Sequence, residues 1–167
     1  SGHVTGVQTC ALPIWGIYMK KVELLNKYLS NLAVLLIKLH NLHWNVVGQQ
    51  FMSIHNFTES QYDTYFVYYD DVAEALKMQG QRPLVKMKDY LAVAFIQEVE
   101  DKDFSPCEVL SIIKADMEEM NRLAREIRAI ASEEDDFAVA NMMEDHISAT
   151  VKQLWFIDSM TKVDCKL

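Results

Sequence analysis

From residue 19 onward, only Gly48, Gly80, Pro83 and Pro106 could break a helix. Inside a helix glycine costs about 1 kcal/mol and proline about 3, so where they fall decides where helices can run. Three blocks free of breakers remain: 19–47, 49–79 and 107–167. The last is too long for one ordinary helix. Its expected break is Ser132-Glu133-Glu134-Asp135-Asp136, an acidic run suited to a helix N-terminus and most simply read as a solvated helix start. Four long helices result.

The first carries apolar residues at 22, 25, 29, 32, 36 and 39, the three-and-four spacing of a one-sided helix. The second is expected from about Ile54 to Gln79, with Gly80 ending it. The third opens on Ser105-Pro106-Cys107-Glu108: serine at the N-cap, proline at the first helical position and glutamate at the third make a capping box. The fourth runs from about Asp136 to Lys162. The connection between the second and third, roughly 81–104, is long for a bundle loop and has room for a short extra helix at 89–94. The expected fold class is all-α: a four-helix bundle with a short extra helix in its crossover, the ferritin-like arrangement.

The chain has 167 residues, enough for a single domain with a proper core. Sixteen basic against twenty-four acidic residues give a net charge of -8. Such a surface repels nucleic acid and anionic membranes and attracts cations. No apolar run reaches the roughly 18–20 residues of a membrane span. Cys10, Cys107 and Cys165 form no C-x-x-C pair and no even-numbered framework, so a reducing cytoplasm is expected.

Residues 1–18 contain no Asp, Glu, Lys or Arg. The stretch 4–14 resembles a translated sequencing adapter. A signal peptide fits poorly, because a basic start and a long apolar run are both missing. The natural start is expected at Met19, with 19–167 as one domain, and His3 and Cys10 are set aside.

The apolar stripe of the first helix continues 22, 29, 36, 43, which puts His43 on its buried face. A histidine there is compatible with a satisfied core residue or with a metal ligand. On the second helix His55 and Glu59 share a face at i, i+4, as do Asp70 and Glu74. Such pairs are also common on solvated surfaces. The combination is more specific: two imidazoles and three carboxylates on adjoining helices suit iron, manganese or zinc, and the lack of a thiolate disfavours structural zinc.

The segment His43-Trp44-Asn45-Val46-Val47-Gly48-Gln49-Gln50-Phe51-Met52-Ser53-Ile54-His55, followed by Glu59, Asp70 and Ala73-Glu74, resembles the starvation-protection mini-ferritins, the Dps family. The resemblance spans essentially 19–163 and includes Arg82-Pro83 and Leu154-Trp155. It implies a di-iron ferroxidase centre with His43, His55, Asp70 and Glu74 as iron ligands. Glu59 would be a ligand or a partner of one, and Trp44 a possible electron donor beside the centre. It further implies Fe(II) oxidation by hydrogen peroxide or oxygen, with ferric product stored in a hollow homo-oligomer, a dodecamer. Ala75 departs from the pattern, since the family usually carries Arg there.

Helix geometry adds a constraint. His55 and Asp70 lie ~22 Å apart along one helix and only ~60° apart around it, so they cannot hold the same ion within one chain. A two-fold axis would carry Asp70 and Glu74 of one chain to His43 and His55 of another. His40 is expected to pack or hydrogen-bond beside the site. Tyr62, Tyr65, Tyr68 and Tyr69 are expected as core and interface aromatics. His146 lacks a Glu-x-x-His partner pattern, which argues against a metal centre inside one bundle. DNA binding is disfavoured, because Lys20 and Lys21 enter the first helix almost at once. A catalytically silent shell is the other alternative.

Overall fold

The computed structural model describes residues 6–166, with side chains from residue 14 onward. The side chains of His3 and Cys10 lie outside that range. Five helices follow in order: α1 Gly6–Asn45, α2 Phe51–Met78, α3 Met87–Val93, α4 Pro106–Glu133 and α5 Phe137–Thr161. Helix α1 packs chiefly along α2 and α4 along α5. Contacts between α1 and α4 join the two hairpins, and the short α3 lies against α1. The stripe read from the sequence is the core: Leu25, Leu29, Leu32 and Leu39 of α1 are fully buried, together with Leu76, Leu110, Ile127 and Met143. No described helix is long and apolar enough to cross a membrane.

Helix starts and stops follow local chemistry. The Ser105 hydroxyl accepts from the Glu108 amide at 3.2 Å, and the Glu108 carboxylate accepts from the Ser105 amide at 2.8 Å, so both halves of the capping box form. Helix α2 begins at Phe51, three residues earlier than expected. Gly48, at φ 125°, reverses the chain, and its carbonyl accepts from the Phe51 amide at once. At the other end Gly80, at φ 75°, donates to Lys77 while Gln81 donates to Leu76, a closed C-terminal turn that favours glycine. The same pair of bonds ends α4, but there Asp135 takes the left-handed position at φ 55°. Asp136 follows directly and caps α5, accepting from the Val139 amide.

The crossover from 79 to 105 has little secondary structure, so its amide groups need partners elsewhere. Asparagines on α1 supply several. Asn26 accepts from the Leu84 amide, Asn31 from those of Phe95 and Ile96, and Asn41 donates to Val99 and Glu100. At its end Phe104 pairs with the α1 terminus, donating to Asn45 and accepting from Val47.

Three expectations change. The first helix does not begin near Met19: α1 runs unbroken from Gly6, and Tyr18 donates to the Gln79 carbonyl and accepts from Gln81. The acidic run is not merely solvated. Glu134 and Asp136 are half-buried and both grip the Lys21 ammonium, Asp136 at 2.7 Å. That double grip holds the Lys21 pKa above its ordinary value, even though burial, the largest single influence, pulls the other way. Finally, Cys107 and Cys165 are joined in a disulfide with Cα atoms 5.6 Å apart. Antiparallel pairing of α4 and α5 brings the start of one beside the end of the other, a juxtaposition that residue spacing alone does not reveal.

Candidate metal centre

The end of α1 and the first turns of α2 meet across the Gly48 reversal, which brings His43 and His55 face to face. Their rings stack with centroids 3.6 Å apart and planes 15° apart. Each ring is tied to the other residue's backbone. His43 Nδ1 lies 2.7 Å from the His55 carbonyl, and His55 Nδ1 lies 2.9 Å from the His43 carbonyl. A carbonyl can only accept, so Nδ1 must carry the proton in both rings. The neutral tautomer then has its lone pair on Nε2, and among the described residues neither Nε2 has a hydrogen-bond partner. Orientation through Nδ1 with a bare Nε2 is how proteins prepare imidazoles for metals.

Thr58 reinforces the lock. Its hydroxyl, fully buried, lies 2.9 Å from His43 Nδ1 and also donates to the α2 backbone. His43 is 5% exposed, and burial lowers its pKa, keeping the ring neutral and able to ligate. Phe51 stacks on the outer side of His55 at 4.9 Å. Tyr62 meets His43 edge-on at 5.2 Å and donates to Glu59 at 3.4 Å. His40 sits beside the site as expected, bonded to the Leu36 carbonyl and stacked on Tyr62 at 3.9 Å. Trp44 approaches His40 edge-on and is otherwise open, 68% exposed.

The remaining candidates are not brought to this pair. Asp70 and Glu74 sit further along α2, both exposed and without an ion pair or hydrogen bond among the described residues. Among the described residues no three His, Cys, Asp or Glu side chains come together closely enough to hold a metal within one chain. His43 and His55 are thus a pair of oriented imidazoles, and Asp70 with Glu74 are carboxylates on the α2 helix that nothing among the described residues engages.

The fold has close counterparts. The ferritin-like domain family model matches residues 22–164. DNA protection during starvation protein 2 of Bacillus anthracis is 32% identical over 136 residues, covering 81% of this chain and 92% of that one. The chain belongs to the Dps branch of the ferritin-like family. The crystal structure of antigen TpF1 from Treponema pallidum superposes with a TM-score of 0.86 at 27% identity, covering 88% of this chain and 94% of that one. A Dps protein from Bacillus brevis gives 0.83 at 30% identity, covering 87% and 97%.

Sequence reasoning did not find Thr58, the ring-to-backbone exchange or the buried setting of His146. His146 is sandwiched in the bundle interior, stacked on Tyr68 at 3.5 Å and bonded through Nδ1 to the Tyr28 hydroxyl at 3.1 Å. Burial pushes its pKa down to about 4. Thr58, three residues after His55, carries no signal of its role until α1 is docked.

Proposed function

We propose that this Dps-family chain oxidises Fe(II) with hydrogen peroxide or oxygen and stores the ferric product inside a hollow homo-oligomer, a dodecamer by family analogy. The observation that carries the reading is the His43–His55 lock, two oriented imidazoles whose Nε2 atoms have no partner, and no third ligand beside them, among the described residues. Two Fe(II) ions supply the two electrons that reduce one peroxide to two hydroxides, so no hydroxyl radical need form. In this reading His43 and His55 bind iron on one protomer. Asp70 and Glu74 come from a second copy, with Glu59 on the His55 helix as a further oxygen donor. Mixed imidazole and carboxylate donors suit Fe(II) and, with their negative charge, Fe(III) more strongly. Tyr62 holds Glu59 and flanks His43, while Trp44 lies one residue from a ligand as an accessible electron donor. The bacterial cytoplasm is the proposed setting.

Complementation tests the shared centre. One variant carries His43→Ala with His55→Ala, the other Asp70→Ala with Glu74→Ala. After random subunit exchange half of the dimers are mixed and each regains one of two sites, so about a quarter of wild-type sites return. Fe(II) oxidation absent from each variant and recovered on co-assembly is the expected result. No recovery despite verified mixed dimers overturns it.

The name of the Bacillus anthracis relative raises direct DNA binding as a second reading. Of the adjacent lysines at the start of the charged chain, Lys21 is buried in its two ion pairs, which leaves Lys20 without it. Protection by removing iron and peroxide fits the net charge of -8 better than contact with the phosphate backbone. Retention in a low-salt gel shift by the chain starting at Met19 would reverse that preference.

A further inference from the structure

We propose that Thr58 is a positioning residue of the metal centre: its buried hydroxyl is a second acceptor for the His43 ring and raises the affinity of His43 Nε2 for a divalent cation. The inference rests on the reading of His43 as a metal ligand. Thr58 follows His55 by about one turn of α2 and is fully buried. Its hydroxyl oxygen lies 2.9 Å from His43 Nδ1 on α1.

The hydroxyl hydrogen is already committed. It goes to the α2 backbone, where the Ile54 carbonyl lies at 3.0 Å and the His55 carbonyl at 2.8 Å. What the oxygen offers α1 is therefore a lone pair. The His43 ring meets it with a hydrogen, because the His55 carbonyl at 2.7 Å requires Nδ1 to carry the proton. One N–H thus sits between two acceptors. The carbonyl fixes the tautomer, and the hydroxyl adds a second anchor that resists rotation of the ring. Acceptors on Nδ1–H also make Nε2 a better donor to a metal.

The two imidazoles differ in this respect. His55 Nδ1 has one acceptor, the His43 carbonyl at 2.9 Å, and its ring is half-buried. His43 has two acceptors and is buried. The same contact accounts for a polar group at a dry helix junction, where a hydroxyl is costly unless hydrogen-bonded. Helix α2 by itself takes up the hydrogen, and among the described residues only His43 uses the oxygen as an acceptor.

Two substitutions separate the hydroxyl from the bulk of the side chain. Thr58→Ser keeps the hydroxyl and loses the methyl, whereas Thr58→Ala loses both. If Thr58 only fills space, the two variants behave alike; if it is an acceptor, the serine variant resembles wild type. Zinc is titrated calorimetrically into assembled, metal-stripped protein, and the His43-dependent step is identified by its loss in His43→Ala. That step should weaken about ten-fold in Thr58→Ala, the usual scale for losing a hydrogen-bond partner of a metal-binding histidine, and stay near wild type in Thr58→Ser. A second readout needs no metal. N–H dipolar couplings of isotope-labelled histidine rings in sedimented protein should show larger motion of the His43 ring in Thr58→Ala, but not in Thr58→Ser, and no change at His55. Unchanged zinc affinity or ring motion in Thr58→Ala, or serine and alanine variants that match each other, would overturn the proposal. Wild-type protein with no His43-dependent zinc binding would overturn the metal reading itself and the proposal with it, a result distinct from the others.

Discussion

His146 makes stability depend on pH in a way that can be calculated. It is 3% exposed, and burial holds its pKa near 4 against an ordinary 6.5. The folded chain therefore keeps the ring neutral, while the unfolded chain binds a proton as soon as pH falls below about 6.5. The stability contributed by the neutral ring is complete above that value and is lost as pH falls toward 4. A shift from 6.5 to about 4 makes acidification from pH 7 to 5.5 cost roughly 1 kcal/mol, and to pH 4.5 roughly 2.5 kcal/mol in all. Urea denaturation followed by tryptophan fluorescence at those three pH values measures it. His146→Asn keeps an amide atom near the Nδ1 position to pair with the Tyr28 hydroxyl but cannot titrate. Carboxylates and His43 titrate in both proteins, so the difference between their pH profiles isolates His146. Parallel profiles would refute the reasoning and mean that the ring is reached by water or protonated in the fold.

Ser105→Ala should cost about 1 kcal/mol in the same denaturation experiment, because it removes the hydroxyl that accepts from Glu108, and a neutral result would mean the cap bond is absent in solution. Asp135→Gly should stabilise by roughly 0.5–1 kcal/mol, since a left-handed residue loses its Cβ penalty; a loss of stability would show that the Asp135 side chain has a partner of its own. Deleting residues 1–17 should leave Fe(II) oxidation unchanged, and extending the deletion to Tyr18 should lower stability by about 1–2 kcal/mol through two lost hydrogen bonds. A large fall in melting temperature already at 1–17 would show that the chargeless segment carries structure the bundle needs.

Most of the fold was legible because its signals are local. Gly80 and the Ser105 box act through their own neighbours, and the α1 stripe needs only helical periodicity. The site was legible in part for the same reason. The i, i+4 spacings and the distance from His55 to Asp70 are properties of a single helix, and they already exclude a one-chain centre. What stayed hidden depends on docking. Thr58 meets His43 only once α1 lies on α2, Lys21 meets Glu134 and Asp136 across more than a hundred residues, and Cys107 meets Cys165 only when two helix ends align. The acidic run looked solvated because its counter-ion is at the far end of the chain.

The Lys21 grip has a consequence for the order in which the chain assembles. Its partners lie 113 and 115 residues away, on the turn that closes the α4–α5 hairpin. Each hairpin can form from its own local contacts, which close small loops quickly. Lys21 cannot leave water until the second hairpin presents both carboxylates, because an unpaired buried ammonium is costly. The ion pair therefore belongs to the last step, when finished hairpins dock. A bond made that late does little to hasten folding but resists the first step of coming apart. Lys21 should therefore act as a latch on the docked hairpins, so that its loss speeds unfolding more than it slows folding.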